Sequence, residues 1–180
     1  MKSLRWLLIS FLLIGSLSAQ VFQPAKVLSQ SKFRVGINPL LMEESFAFYI
    51  HGGVGLGSRM DLGFKVGFGE GDAYFGADID YGILIQDFSL TLGGGLHHCS
   101  VMGIDVTIKG GYDIPNSGVE IHGGFDFDIN FHDGGSTSPL WFLLGLEWRV
   151  RSMIAVVLDV EIGVTEEAPN IFGGGINLYF

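Results

Sequence analysis

The sequence contains little cysteine and little charge, and beyond its first residues it has no long apolar run. Cys99 is the only cysteine among 180 residues, so a disulfide framework within the chain is excluded. Charged residues make up 16% of the chain, against roughly 25% in a typical soluble domain. No apolar run after the N-terminal region reaches the roughly 20 residues that a transmembrane helix needs. These features argue against a disulfide-stapled domain and against a helical membrane protein.

Basic residues are scarce as well. Lys and Arg number 10 against 19 Asp and Glu, which gives a formal net charge of −9 at pH 7. Because nucleic-acid binding relies on Lys and Arg to neutralise phosphates, no nucleic-acid partner is expected. Glycine and apolar residues are abundant instead, with 28 Gly, 15 Phe and a hydrophobic fraction of 48%. The length suits one domain.

The N-terminus has the pattern of a cleaved secretory signal peptide. Residues 1–19 read MKSLRWLLISFLLIGSLSA, with Lys2 and Arg5 before a short apolar run and small residues before Ala19. A retained membrane anchor is the alternative, but the run is short for a span of about 20 residues. We therefore predict cleavage after Ala19 and export, followed by a short periplasmic lead-in over residues 20–31.

From residue 32 to residue 180 the apolar residues recur with a period of two, which is typical of β-strands. Turn residues such as Asn38-Pro39 and Gln86-Asp87 divide this region. The predicted strands cover 32–38, 45–56, 59–69, 73–84, 88–97, 101–112, 118–131, 139–150, 153–164 and 171–180. Five longer connections are predicted at 39–44, 70–72, 98–100, 132–138 and 165–170.

The two faces of the strands differ sharply. In residues 119–131, one register carries Val, Ile and Phe, and the other carries Glu120, His122, Asp126 and Asp128. A soluble barrel would have to place all the apolar residues, including most of the Phe, in one narrow lumen. A soluble sandwich would have Gly and Asp, both poor strand residues, on its wet faces. A membrane barrel places apolar residues in lipid and small or polar ones inside. The pattern therefore predicts an all-β fold, a closed antiparallel up-and-down transmembrane β-barrel of about ten strands, with eight as the alternative.

The last strand, IFGGGINLYF, supports this class. Its alternating apolar residues end on an aromatic residue, Phe180. This segment resembles the β-signal of bacterial outer-membrane proteins, and the resemblance to small outer-membrane barrels covers essentially the whole chain. It implies location in the cell outer membrane, contact with outer-membrane lipid, and recognition by the barrel-assembly machinery during biogenesis. The resemblance assigns the assembly signal to Gly174, Ile176, Leu178, Tyr179 and Phe180.

The register opposite the apolar one carries nearly all the strand charge. We expect a packed network of ion pairs that fills the barrel, or an acidic, cation-preferring channel, since charges taken from water must be paired. The predicted lumen charge network consists of Arg34, Asp61, Lys65, Asp78, Asp80, Asp105, Lys109, Glu120, His122, Asp126, Asp128, Glu147, Arg149, Asp159 and Glu161. The same register also includes Arg59 and Arg151.

No cofactor or metal site is predicted. Neighbouring acids could bind a divalent cation, but no calcium-loop pattern is present. His97, His98 and Cys99 are consecutive, and adjacent strand residues point to opposite faces, so a loop there is the simpler interpretation.

We therefore expect a non-enzymatic outer-membrane barrel, either of structural or surface-interaction type or a narrow porin-like conduit, whose solute or surface partner the sequence does not identify. The alternatives are a secreted soluble barrel that binds a hydrophobic ligand and an outer-membrane enzyme. His122 is the one candidate base for an enzyme, and no Gly-x-Ser-x-Gly motif accompanies it.

Overall fold

The computed structural model describes residues 23–42, 45–69 and 73–180. The predicted signal peptide at 1–19 lies outside these residues. Eleven strands make up the described chain: β1 (Phe33–Met42), β2 (Ser45–Gly55), β3 (Met60–Gly69), β4 (Tyr74–Ile85), β5 (Phe88–Cys99), β6 (Val101–Ile114), β7 (Val119–His132), β8 (Gly135–Thr137), β9 (Leu140–Arg151), β10 (Ile154–Gly163) and β11 (Ile171–Tyr179). No helix within the described residues is long and apolar enough to cross a membrane.

The strands form a closed antiparallel barrel. Each long strand pairs with its neighbours in the sequence, and β1 pairs with β11 from Arg34 opposite Tyr179 to Met42 opposite Ile171. The short β8 pairs with β7 in the same register as β9, so β8 and β9 follow one line that is interrupted at Pro139. Ten strand lines therefore close the barrel, and the predicted fold is confirmed. Closure leaves no unpaired sheet edge.

Some predicted connections are wrong. Asn38-Pro39 is not a turn, because β1 continues to Met42. Pro39 faces outward and keeps its place opposite Phe48 of β2, while the pairing with β11 skips it; Pro lacks an N–H and is tolerated where one ladder is interrupted. The loop predicted at 98–100 shrinks to Ser100, which has φ 61°. The loop predicted at 132–138 contains β8.

The apolar register faces outward. Phe64, Phe125 and Phe172 are each about half exposed, whereas the polar residues between the apolar ones are buried inside the barrel. A soluble barrel that binds a hydrophobic ligand would need the opposite orientation. The outward apolar surface is that of a barrel surrounded by lipid.

The two ends of the barrel differ in the parts of the chain they hold. The terminal end carries Phe33, Tyr179 and the connections 56–59, 86–87, 115–118 and 152–153. The far end carries Ser100 and the connection 164–170. Both ends have short connections, so the described chain has no large domain above the barrel.

Candidate functional site in the barrel interior

Most of the predicted lumen residues lie inside the barrel. The residues that are less than a tenth exposed are Arg34, Asp61, Lys65, Asp78, Asp80, Asp105, Lys109, Glu120, His122, Asp126, Asp128, Glu147, Asp159 and Glu161. Arg149 lies at the terminal-end rim instead, where its side chain is 51% exposed while its Nε contacts Oε1 of Glu147 at 3.2 Å. Arg59 and Arg151 are likewise exposed at this end. The register of a strand determines whether a side chain faces the interior or the outside, and its distance from the end of the strand determines whether it contacts water.

Two buried ion pairs join different strands inside the barrel, one between β3 and β4 and one between β6 and β4. The ammonium of Lys65 lies 2.8 Å from Asp78, and that of Lys109 lies 2.7 Å from Asp80. All four side chains are nearly inaccessible to solvent. Such pairs hold their partners firmly, since removal of one partner leaves a buried charge uncompensated.

His122 belongs to a third polar cluster, close to one small cavity. Its Nε2 lies 2.7 Å from Oδ1 of Asp159, and its Nδ1 lies 3.8 Å from Oε1 of Glu120. The adjoining cavity, lined in part by Lys109 and Glu161, measures about 10 Å³. That volume is near the minimum for a single water molecule, so it has no room for a substrate.

The acids of β6 and β7 meet in the middle of the wall. Asp105 lies directly opposite Asp128 in the β6–β7 ladder. Oγ1 of Thr107 donates to Asp126 at 2.8 Å. His97 reaches this group from β5, with its Nδ1 3.6 Å from Asp105 and its Nε2 3.9 Å from Asp128. The cluster therefore includes Thr107 and His97, which the lumen prediction missed although both occupy the polar register.

A segment from the N-terminal lead-in closes the terminal end. We call residues 23–31 the inner segment. Within it Ala25 is fully buried, and Val27 and Leu28 are less than a tenth exposed. The backbone N–H of Ala25 donates to Glu120 at 2.7 Å, and that of Leu28 donates to Asp61 at 2.7 Å. Two of the predicted lumen acids thus accept hydrogen bonds from the backbone of the inner segment.

Side chains fix the same segment at further points. Nη2 of Arg34 donates to Oε1 of Gln23 at 2.6 Å. Thr91 donates to the carbonyl of Ala25. Lys26 forms an ion pair with Asp113 at 2.7 Å. The contacts come from β1, β5 and β6, so the inner segment is tied to several parts of the wall. No sequence period signals this, because the segment has no regular secondary structure.

The far end is filled by apolar and aromatic side chains that face inward. Leu40, Tyr49, Tyr74 and Ile171 form a buried cluster with Ala47 and Cys99. Tyr74 packs against Tyr49 at 5.2 Å and stacks on His97 at 5.9 Å between ring centroids. Trp141 is fully buried on the other side and donates from Nε1 to the carbonyl of Pro169 at 2.9 Å.

No group of three or more His, Cys, Asp or Glu side chains is placed to hold a metal ion in the part of the chain that the structure describes. His97 and Cys99 face inward, whereas His98 is exposed on the outer face. His97 and His98 therefore lie on opposite faces, and the loop expected around them is replaced by strand.

The predicted assembly signal lies in and beside β11. Ile176, Leu178 and Phe180 are exposed on the outer face, and Gly174 shares their register. Tyr179 points inward, where its hydroxyl contacts Glu147 and its ring lies beneath the guanidinium of Arg149 at 5.0 Å. The structure shows which residues of this segment are exposed on the outer face, and the role of the segment in assembly stays a prediction.

The architecture is similar to that of solved outer-membrane proteins. Omp33, an outer membrane protein of Acinetobacter baumannii, has a TM-score of 0.50 and 9% sequence identity, covering 84% of this chain and 99% of that chain. The KdgM porin, solved in complex with disordered oligogalacturonate, has a TM-score of 0.50 and 10% identity, covering 83% of this chain and 98% of that chain. No protein-family model matches the chain, and no curated protein matches it. At these identities the likeness is one of fold, and that fold is the bacterial outer-membrane β-barrel.

Proposed function

We propose that the protein is an integral outer-membrane barrel of structural or surface-interaction type, with a lumen that is held closed. The observation that carries this proposal is the filled interior, which holds the buried ion pairs of Lys65 and Lys109 along the strands and the inner segment at the terminal end. A diffusion porin needs a water-filled lumen, such as barrels of about 16–18 strands enclose. This barrel has ten strand lines, and the buried pairs of Lys65 and Lys109 occupy its interior.

A narrow porin-like conduit is the second candidate. Its support is that the inner segment is held by noncovalent contacts, including those of Ala25 with Glu120 and of Leu28 with Asp61. Release of such a segment would expose an interior in which acids outnumber Lys and Arg. A conduit of this kind would favour cations.

An enzymatic role has less support. The candidate base, His122, is buried beside a cavity of about 10 Å³. A general base must reach the proton of a bound substrate, and a cavity of that size admits no substrate. We expect His122→Ala to change stability rather than any hydrolytic activity.

The first test is cell fractionation, with electrophoresis of unheated and boiled samples. We expect recovery in the outer membrane and a heat-dependent change in migration. Recovery as a soluble periplasmic protein would refute the proposal.

Planar-bilayer recording separates the two candidate functions. The intact protein and a variant lacking residues 20–31 are compared in the same lipid. The structural proposal expects no conductance steps from either protein, because the ion pairs fill the lumen without the segment. Cation-selective steps from the deletion variant alone would favour the conduit, and steps from the intact protein would refute a closed lumen.

A further inference from the structure

Charge is distributed unequally between the two ends of the barrel. Within the described chain, the exposed Lys and Arg residues are all at the terminal end, and they are Lys32, Arg59, Arg149 and Arg151. At the far end, the described connections carry Asp133, Glu166 and Glu167 and no Lys or Arg. The barrel therefore has a cationic end and an acidic end.

Three of these cations form one arc. Arg149 and Arg151 lie among the last residues of β9, and Lys32 immediately precedes β1. Only β10 and β11 stand between β9 and β1 in the barrel. The acid nearest in the chain, Glu147, is buried and contacts Arg149. Asp61 and Glu120 of this end are buried against the inner segment. The acids of this end that are not buried are Asp113, which is paired with Lys26, and Asp87, in the turn between β4 and β5. Arg59 immediately precedes β3, two strands from β1 but five strand lines from β9, so it lies across the barrel from Arg149 and Arg151.

A second and independent feature coincides with the cationic end. Tyr81, Tyr112 and Trp148 are the Tyr and Trp residues that are more than a third exposed within the described chain, and all three lie in the half of their strand nearest the terminal end. Tyr and Trp on the lipid face of a barrel mark the level of the headgroups. Trp148 is next to Arg149 in β9, so an aromatic anchor and a cation share one stretch of rim.

We propose that this arc, made of Lys32, Arg149 and Arg151, binds the phosphates of anionic phospholipids in the leaflet at the terminal end. The inference rests on the proposed membrane function and deepens it by naming the lipid class. Basic residues beside a bilayer attract anionic headgroups within a Debye length. Trp148 fixes the depth of the arc at the headgroups, where a phosphate can approach the guanidinium of Arg151. The acidic far end would repel the same lipids, so the preference also orients the barrel.

Trp148 supplies the measurement. The purified protein is reconstituted in phosphatidylcholine vesicles that contain increasing fractions of brominated phosphatidylglycerol or, separately, brominated phosphatidylcholine. Bromine quenches only tryptophans that touch the lipid, and the Trp148→Phe variant measures the remaining signal of the buried Trp141. We expect phosphatidylglycerol to associate at Trp148 at least about twofold more strongly than phosphatidylcholine at low salt, with the preference lost at high salt.

Variants localise the effect. Lys32→Gln with Arg151→Gln should bring the ratio of the two association constants close to one, since the remaining Arg149 is already paired with Glu147. Arg59→Gln, which lies across the barrel from Trp148, should leave the ratio unchanged. A ratio of one in the unmodified protein, or an equal loss with Arg59→Gln, would overturn the inference. Quenching by phosphatidylcholine alone, with the heat-dependent gel shift intact, would overturn the lipid preference while leaving the membrane barrel standing. Absence of quenching by either lipid would refute both the membrane barrel and its preference for anionic phospholipids.

Discussion

At the scale of single residues, glycine determines where the polar side chains of the interior lie. Asp78 covers Gly63, Asp80 covers Gly93, and Asp159 covers Gly145, each glycine being the cross-strand neighbour of its acid. A methyl group at these positions would overlap the carboxylate. Glycine disfavours a strand by its flexibility, but here it makes the room in which buried acids reach their partners.

Gly145→Ala tests this arrangement. A Cβ there would collide with Oδ1 of Asp159 and Nε2 of His122, so the His122–Asp159 contact must separate. Loss of a buried polar contact costs about 1–3 kcal/mol, which outweighs the roughly 0.5–1 kcal/mol that Ala gains over Gly in a strand. We expect a lower urea midpoint for unfolding from lipid vesicles. Gly134→Ala is the control, because no atom lies within 4 Å of its added Cβ; equal midpoints for the two variants would contradict the explanation.

The Lys65–Asp78 pair gives a second prediction at this scale. Lys65→Met leaves the buried carboxylate of Asp78 without its ammonium partner at 2.8 Å. We expect a loss of about 3–5 kcal/mol in the free energy of unfolding. Adding Asp78→Asn to the same chain should recover part of this loss, since the uncompensated charge is removed. If the loss of unfolding free energy in the double variant equals the sum of the losses in the two single variants, the pair does not act as a unit.

At the scale of elements, the inner segment differs from the strands in how it is held. Two of its backbone donors bind carboxylates far away in the chain, with Ala25 and Glu120 95 positions apart. It has no ladder of its own, and its closure of the barrel depends on a few side chains. Those side chains, Asp61 and Glu120 among them, therefore have a structural task as well as a place in the charge network.

Thiol labelling tests whether the segment stays inside the barrel in solution. In a Cys99→Ala background, Val27→Cys places a thiol at a position that is 8% exposed. We expect a water-soluble maleimide to react with it at least about tenfold more slowly than with Lys32→Cys, which lies just outside the segment, because reaction needs local opening. Asp61→Ala removes the acceptor for the N–H of Leu28 and should accelerate labelling of Val27→Cys alone. Equal rates at the two cysteines would show a segment that is free of the barrel.

The elements differ in how far the sequence could predict them. The period of two identifies β7 and β10 and also their faces, because one register must meet lipid and the other the interior. Pro39 misled the prediction, since a proline within a strand is tolerated where one neighbouring ladder can skip it. Trp141 and Tyr74 are buried inside the barrel, as their registers, shared with Glu147 and Asp78, indicate. The inner segment could not be found, because its partners are set by the closed barrel.

At the scale of the whole molecule, closure depends on the first and last strands. Phe33 and Phe180 exchange two backbone hydrogen bonds, at 3.2 and 2.9 Å, beyond the end of the β1–β11 ladder. The same residue, Phe180, belongs to the predicted assembly signal and exposes 55% of its surface to the lipid side. Its backbone can therefore stabilise the finished barrel, and its side chain can be recognised before the barrel is finished.

Two substitutions separate these roles. Phe180→Ala keeps the backbone hydrogen bonds with Phe33 and removes the exposed ring, and Phe172→Ala removes a ring of nearly equal exposure from the same face of β11. Each substitution removes a similar apolar area from contact with the lipid, so we expect similar urea midpoints after refolding into vesicles. In cells, only Phe180→Ala should reduce recovery of the heat-modifiable form in the outer membrane, because Phe180 is the aromatic residue of the predicted assembly signal and Phe172 lies outside it. Equal recovery of the two variants would show that the side chain of Phe180 is not part of the assembly signal. A lower urea midpoint for Phe180→Ala alone would show that this side chain stabilises the closed barrel instead.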